Sequence, residues 1–239
     1  MERAYRGVME PNGLTCYEVA IGESDLYVCT RGDLADKARE SLASHRKELE
    51  SYLGKHLSFG TSFRPVPAAG DAPEIVLEMV RASEIFDVGP MASVAGAIAQ
   101  HVGTDLMESS PEVIVENGGD IFLAGGGKRK VRIFAGASSP LVHVTIDDRA
   151  VDDGAHGVGL CTSSATVGPS VSLGEADAVT VLAGTATLAD AAASAIGNIV
   201  QGADHIEGAL EKASCYADIL GVVIVAGGSV GAWGAVELG

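Results

Sequence analysis

Aromatic residues are scarce in this chain, with one Trp, five Tyr and five Phe in 239 positions. A core drawn from a 47% apolar content must therefore be mostly aliphatic and alanine-built. Positive charge is scarce as well: 16 Lys and Arg stand against 32 Asp and Glu, for a formal net charge of −16. Such a surface repels a phosphate backbone, which argues against nucleic acid as a partner. A small anionic ligand is not excluded, because backbone N–H groups and a metal can supply a local positive field. No apolar run reaches the ~18 residues of a membrane span. Met1–Asn12 is polar and charged, without the apolar stretch of a secretory signal. A cytoplasmic location with no membrane partner is the expectation. Four cysteines, Cys16, Cys29, Cys161 and Cys215, are widely spaced with no C-x-x-C. That pattern argues against zinc and against a disulfide scaffold, and predicts four reduced, mostly buried thiols. The six histidines form no ligand spacing either, although His143 and His156 flank a strand–loop region and are candidates for a shared pocket.

Glycine, by contrast, is abundant at 31 residues, most of them after residue 85. This suits tight turns and close backbone approaches. Thr15–Ile21 and Asp25–Thr30 alternate as a hairpin around Gly22-Glu23-Ser24. Asp33 reads as the N-cap of an amphipathic helix to about Lys55, with Leu34, Ala38, Leu42, Leu49, Tyr52 and Leu53 as its apolar stripe. A proline-bearing connection, Leu57–Ala72, leads to a helix over Pro73–Phe86 and a small-faced helix over Met91–Met107. Short strands follow at Val113–Glu116, Ile121–Ala124, Val131–Ala135, Val142–Ile146, Val158–Cys161 and Ala178–Leu182. A helix carrying Asp190 runs to about Gln201, another covers Ile206–Tyr216, and Leu220–Ala226 and Gly231–Glu237 close the chain as strands. Most strand links are too short for crossover helices, so the fold class is α/β (α+β) with a mixed, largely antiparallel sheet. No linker divides residues 1–239, which read as one domain.

Four segments are candidates for chemistry. In Asp87-Val88-Gly89-Pro90-Met91-Ala92-Ser93, glycine and proline lead into a helix whose free N–H groups around Gly89 and Met91 favour an anion; an ordinary helix start with Pro in its first turn has the same pattern. In Glu116-Asn117-Gly118-Gly119-Asp120, Asn117-Gly118 is a hairpin signal. The acids on either side repel unless a cation or ligand donor lies between them. Cys161–Gly174 holds six hydroxyls and two glycines without a charge, and its Thr162, Ser163 and Ser164 are suited to phosphate or a polar ring edge. A catalytic Cys161 is disfavoured, since no His lies near it in sequence. In Ala189–Asn198, Asp190 and Ser194 are four residues apart and share a helix face. A carboxylate and a hydroxyl so placed make a corner for Mg²⁺, which takes oxygen ligands and few of them from protein. An acid favoured near a helix start and a small packing serine would look the same.

Taken in order, these segments resemble the ApbE-type flavin transferase superfamily, and most closely its uncharacterised ApbE-like branch. The branch resemblance covers most of the chain, through Val88–Gly96, Val115–Asp120, Cys161–Ser164 and Ala176–Val181. It implies a single ApbE-like, T-fold-related domain that binds FAD or FMN with Mg²⁺. It also implies a reaction in which FMN passes from FAD to a threonine of a protein acceptor, releasing AMP. The family's A-D-A-x-A-T metal helix reads Ala189-Asp190-Ala191-Ala192-Ala193-Ser194 here, assigning Asp190 and Ser194 to the metal. Its N-G-G-D segment falls on Asn117–Asp120 and its T-S-G loop on Thr162-Ser163-Ser164. On this footing Gly89, Met91 and Thr162–Ser164 would position phosphates, while Glu116 and Asp120 would orient a ring or ribose or supplement the metal. The chain departs from the catalytic members at the H-H-I-x-D-P segment that carries their supposed base, where it has Val167-Gly168-Pro169-Ser170-Val171-Ser172. It also has Ala95 before Gly96 where they have lysine. Loss of a positioned base costs about 10²–10⁴ in rate. The expectation is a protein that binds a small phosphate-bearing ligand with Mg²⁺; if it is an enzyme, it would transfer a phosphoryl or nucleotidyl group through an altered site. The alternative is a non-catalytic flavin-binding or homo-oligomeric interaction protein that keeps the fold.

Overall fold

The structure, a computed structural model, describes residues 13–136, 142–149, 156–165 and 174–239. The readings of Met1–Asn12 and of Val167–Ser172 therefore lie outside the described residues. Strands β1 (Thr15–Ile21), β2 (Ser24–Thr30), β3 (Val113–Asn117), β4 (Asp120–Ala124), β7 (Val158–Ser163), β8 (Ala178–Ala183), β9 (Ile219–Ala226) and β10 (Ser229–Gly234) form an eight-stranded sheet in that order. Every pairing in it is antiparallel. A second sheet, ordered β11–β6–β5, is made of β5 (Lys128–Ile133), β6 (Val142–Asp147) and β11 (Glu237–Leu238).

Helices α1 (Ala35–Lys55), α3 (Glu74–Phe86), α4 (Val94–Met107) and α5 (Ala186–Gly197) bury their apolar stripes on one face of the large sheet. The short α2 (Leu57–Thr61) follows α1, and α6 (Ile206–Ser214) packs on β9 and β10. The small sheet covers the opposite face. Strand alternation divides the two layers. On β4, Phe122 and Ala124 meet the helices, while Ile121 and Leu123 meet the small sheet. Asp120 is in phase with Phe122 and so belongs to the helix side.

Glycine sets how closely these layers approach. A Cβ on Gly96 of α4 would run into the Ala186 carbonyl and the Asp190 Cβ of α5, and one on Gly159 of β7 would strike the first turn of α5. The start of α5 is fixed by two acceptors. Thr185 Oγ1 takes the Leu188 N–H at 3.1 Å, and Gln100 Oε1 takes that of Ala186 at 2.7 Å.

Several expectations are corrected. Cys16 and Cys29 are joined in a disulfide, and only Cys161 and Cys215 are free. The two bonded residues face each other in the β1–β2 register, so the hairpin itself brings them together. Strand β5 begins at Lys128 and ends at Ile133, because exposed cations rather than apolar residues occupy alternate positions of its first half. Pro90–Ser93 forms a 3₁₀ turn, leaving the α-helix to start at Val94. Helix α5 stops at Gly197. The predicted last strand splits at Gly234, where φ is +84°, and its final part, Glu237–Leu238, joins the small sheet.

Candidate active site

The described residues enclose a cavity of about 890 Å³ between the Gly60–Arg64 segment, the end of α3, the Gly89–Ala95 turn, β4, α5 and α6. Asp120, Asp190 and Ser194 line it, as do Gly89 and Met91. Three of the four segments singled out in the sequence therefore meet at one place.

Asp190 lies across the start of α4. Its Oδ2 accepts the Gly96 N–H at 2.8 Å, and the neighbouring Ala95 amide also favours its charged form. Burial nevertheless pushes its carboxyl well above the usual range, and the negative charge of Asp120 adds to the shift. Burial likewise raises Asp120, to about 7, with Glu116 contributing; the Cys161 thiol and the Thr162 N–H pull the other way. Asp120 Oδ1 is buried and has no hydrogen-bond partner. Neither aspartate forms an ion pair among the described residues. Ser194 Oγ makes one long contact, 3.4 Å to the Ala92 carbonyl. Cys161 is fully buried, its Sγ 3.3 Å from the Ala186 carbonyl. Burial first, then the two aspartates, push its thiol up, which leaves it a poor nucleophile.

The remaining predicted site residues serve the frame around the cavity. Gly118 and Gly119, with φ of +72° and +110°, form the two-residue turn, so Asn117 pairs with Asp120 across the hairpin. The turn thus uses both glycines rather than Asn117-Gly118. Glu116 Oε1 accepts the Gly119 N–H at 2.8 Å, and Asn117 Nδ2 donates to the Ala95 carbonyl at 3.1 Å. Thr162 is bonded to Thr180 hydroxyl to hydroxyl, and Ser164 Oγ donates to the Asp177 carbonyl. Ser163 lies against Gly197 of α5. None of these seven is among the lining residues, and neither are His143 and His156.

Sequence reasoning missed the groups that complete the wall. Phe63 and Arg64 come from the proline-bearing connection, Phe86 from the end of α3, and Lys212 and Tyr216 from the α6 region. Arg64 Nη1 contacts Asp87 Oδ2 at 2.6 Å, and Asp87 caps α3 in the left-handed region at φ +54°. No local pattern marks Lys212 or Tyr216, because the sheet order alone carries them to the cavity.

The family model described as AbpE bacteria matches residues 7–218. The chain belongs to that family. It is 46% identical over 199 residues to a UPF0280 protein of Methanocaldococcus jannaschii, covering 82% of this chain and 80% of the relative. A UPF0280 protein of Methanococcoides burtonii is 36% identical over 201 residues, covering 83% of each. Among solved structures, the flavin transferase ApbE from Vibrio cholerae superposes with a TM-score of 0.60 at 12% identity, over 92% of this chain and 96% of that one. The apo flavinyl transferase ApbE of Pseudomonas stutzeri gives 0.57 at 13% identity, over 94% and 96%. The fold of this family member is thus the fold of the ApbE flavin transferases, with the mixed, mostly antiparallel α+β architecture expected. Among the described residues no helix is long and apolar enough to cross a membrane.

Proposed function

We propose that the cavity binds a flavin nucleotide, FAD or FMN, or a related phosphate-bearing ligand, together with Mg²⁺. The observation that carries this reading is the pair Asp120 and Asp190: two buried carboxylates on one cavity, the charge of Asp120 adding to the rise of Asp190, with no ion pair to either among the described residues. A divalent ion would remove that repulsion. The donors fit Mg²⁺, since they are oxygens and one of them, Asp120 Oδ1, is buried without a partner. Among the described residues no group of three or more His, Cys, Asp or Glu could hold a metal ion. That suits an ion that takes one or two carboxylates plus ligand phosphate. Asp190, Ser194 and Asp120 would hold it, and bound there it would neutralise charge on a pyrophosphate. The chain's own part is to fix Asp190 through the Gly96 and Ala95 amides, and to keep the Asn117–Asp120 turn against α4 through the Asn117–Ala95 bond.

If the ligand is turned over, phosphoryl or nucleotidyl transfer to a protein acceptor is the matching chemistry. Among the described residues no histidine lines the cavity, which favours as a second reading a protein that binds the flavin nucleotide without transferring it. The test is calorimetric titration of FAD with and without Mg²⁺, for the natural chain and for Asp190→Ala, followed by an assay of AMP release. Mg²⁺-dependent binding that is lost in the variant is expected. Binding indifferent to both the metal and Asp190 would overturn the assignment.

A further inference from the structure

Lys212 is exposed and stands in the last turn of α6. A cation there is favoured by the helix dipole, which accounts for a lysine but not for its place on the cavity wall. Arg64, the other cation on that wall, is already matched by Asp87 at 2.6 Å. Lys212 forms no ion pair among the described residues, in a chain with twice as many acids as bases. Four residues on, Tyr216 lines the same cavity, and its hydroxyl likewise has no partner among the described residues. Its ring rests on Phe86 with centroids 5.0 Å apart. Among the described residues, one part of the cavity thus gathers carboxylates without a cation, while another offers an ammonium and a phenol without an anion. A ligand answering both carries negative oxygen atoms and an apolar ring, and meets the carboxylates through a metal.

We propose that Lys212, with the Tyr216 hydroxyl on the same cavity wall, is the phosphate-recognition element of the cavity, binding a phosphate of a nucleotide whose ring packs against Phe86 and Tyr216. This rests on reading the cavity as a nucleotide site. Three ligands separate the possibilities: FAD, riboflavin, which has the ring without phosphate, and inorganic pyrophosphate, which has the charge without the ring. Each is titrated with millimolar Mg²⁺ into the natural chain and into Lys212→Gln, Lys212→Arg and Tyr216→Phe.

Lys212→Gln is expected to weaken FAD and pyrophosphate about tenfold, the effect of one charge-assisted hydrogen bond at an exposed site. Riboflavin should bind it as well as it binds the natural chain, and Lys212→Arg should recover most of the FAD affinity. Tyr216→Phe should cost a few-fold for FAD. Unchanged FAD affinity in Lys212→Gln overturns the assignment and leaves the flavin site standing. An equal loss for riboflavin also overturns it, since the lysine would then act by packing. If the natural chain takes pyrophosphate in a Lys212-dependent way but neither flavin, the flavin reading fails and the lysine assignment holds. Binding of none of the three defeats both.

Discussion

The β3–β4 hairpin has carboxylates at both ends, and the protein treats them in opposite ways. At the open end Glu112 lies between two guanidiniums, Arg31 at 2.7 Å and Arg129 at 2.5 Å. Burial would raise its carboxyl, but Arg129 and Arg31 outweigh burial and hold it below its ordinary value. At the turn end Asp120 has Asp190 and Glu116 for neighbours, no cation among the described residues, and a carboxyl at about 7. One end is a finished ion-pair cluster that fastens β3 to its surroundings. The other leaves its carboxylates uncompensated among the described residues, a common mark of a functional site.

The contrast can be broken most forcefully at the finished end. Glu112→Gln removes the shared partner of Arg31 and of Arg129, whose side chain is only 15% exposed. It should destabilise the fold by about 2–3 kcal/mol, less than a fully buried pair because Arg31 is half exposed. Urea unfolding measures this; a loss under ~0.5 kcal/mol would erase the distinction between the two ends.

Next in size is the pH dependence, where the two ends have opposite signs. Between about pH 4 and 7 folded Asp120 keeps a proton that the unfolded chain has released, so stability falls as pH rises through that window and is level above it. Glu112 does the reverse: its contribution is complete above its ordinary value and disappears as pH falls through the lower folded one. The Asp120 effect should amount to roughly 2 kcal/mol, after discounting a shift shared with a coupled neighbour. Thermal melts from pH 4.5 to 8, with and without millimolar Mg²⁺, should show a decline that the metal abolishes. A profile rising over that range without metal would contradict the unpaired state of the site.

The smallest effect is the most diagnostic. Asp190→Asn keeps an acceptor for the Gly96 amide and removes the repulsion with Asp120. It should leave the fold unchanged or stabilise it by about 1 kcal/mol, as expected where stability has been given up for function. A loss like that of Glu112→Gln would make Asp190 a structural residue.

Much of this was legible in the chain. Alternation and glycine place nearly all strands, and the local patterns of the chain mark Asp120, Asp190 and Ser194. The Cys16–Cys29 pairing turns on register: the observed turn at Gly22-Glu23 sets residue 16 opposite residue 29, whereas the three-residue link Gly22-Glu23-Ser24 would set it opposite residue 30. Spacing rules for cysteine hid it. What could not be read was convergence. Lys212 and Phe63 are some 150 positions apart with no local pattern, and they meet only because β8, β9 and the helices stack as they do. Strand β5 was misplaced because its first half is cationic, a composition that suits a sheet edge.

Gly96 gives the site an off-switch that no inventory of functional groups would reveal. It contributes no atom to the cavity wall, yet its missing methyl sets the spacing between the amides of α4 and the carboxylate of α5. Any side chain there would prise the two helices apart and strand Asp190 from the donors that aim it, while the identity of every cavity-lining residue stayed the same. A survey of this family by its acidic and hydroxyl residues alone would score such a chain as intact. The silent hydrogen at position 96 is a better witness to whether the corner works.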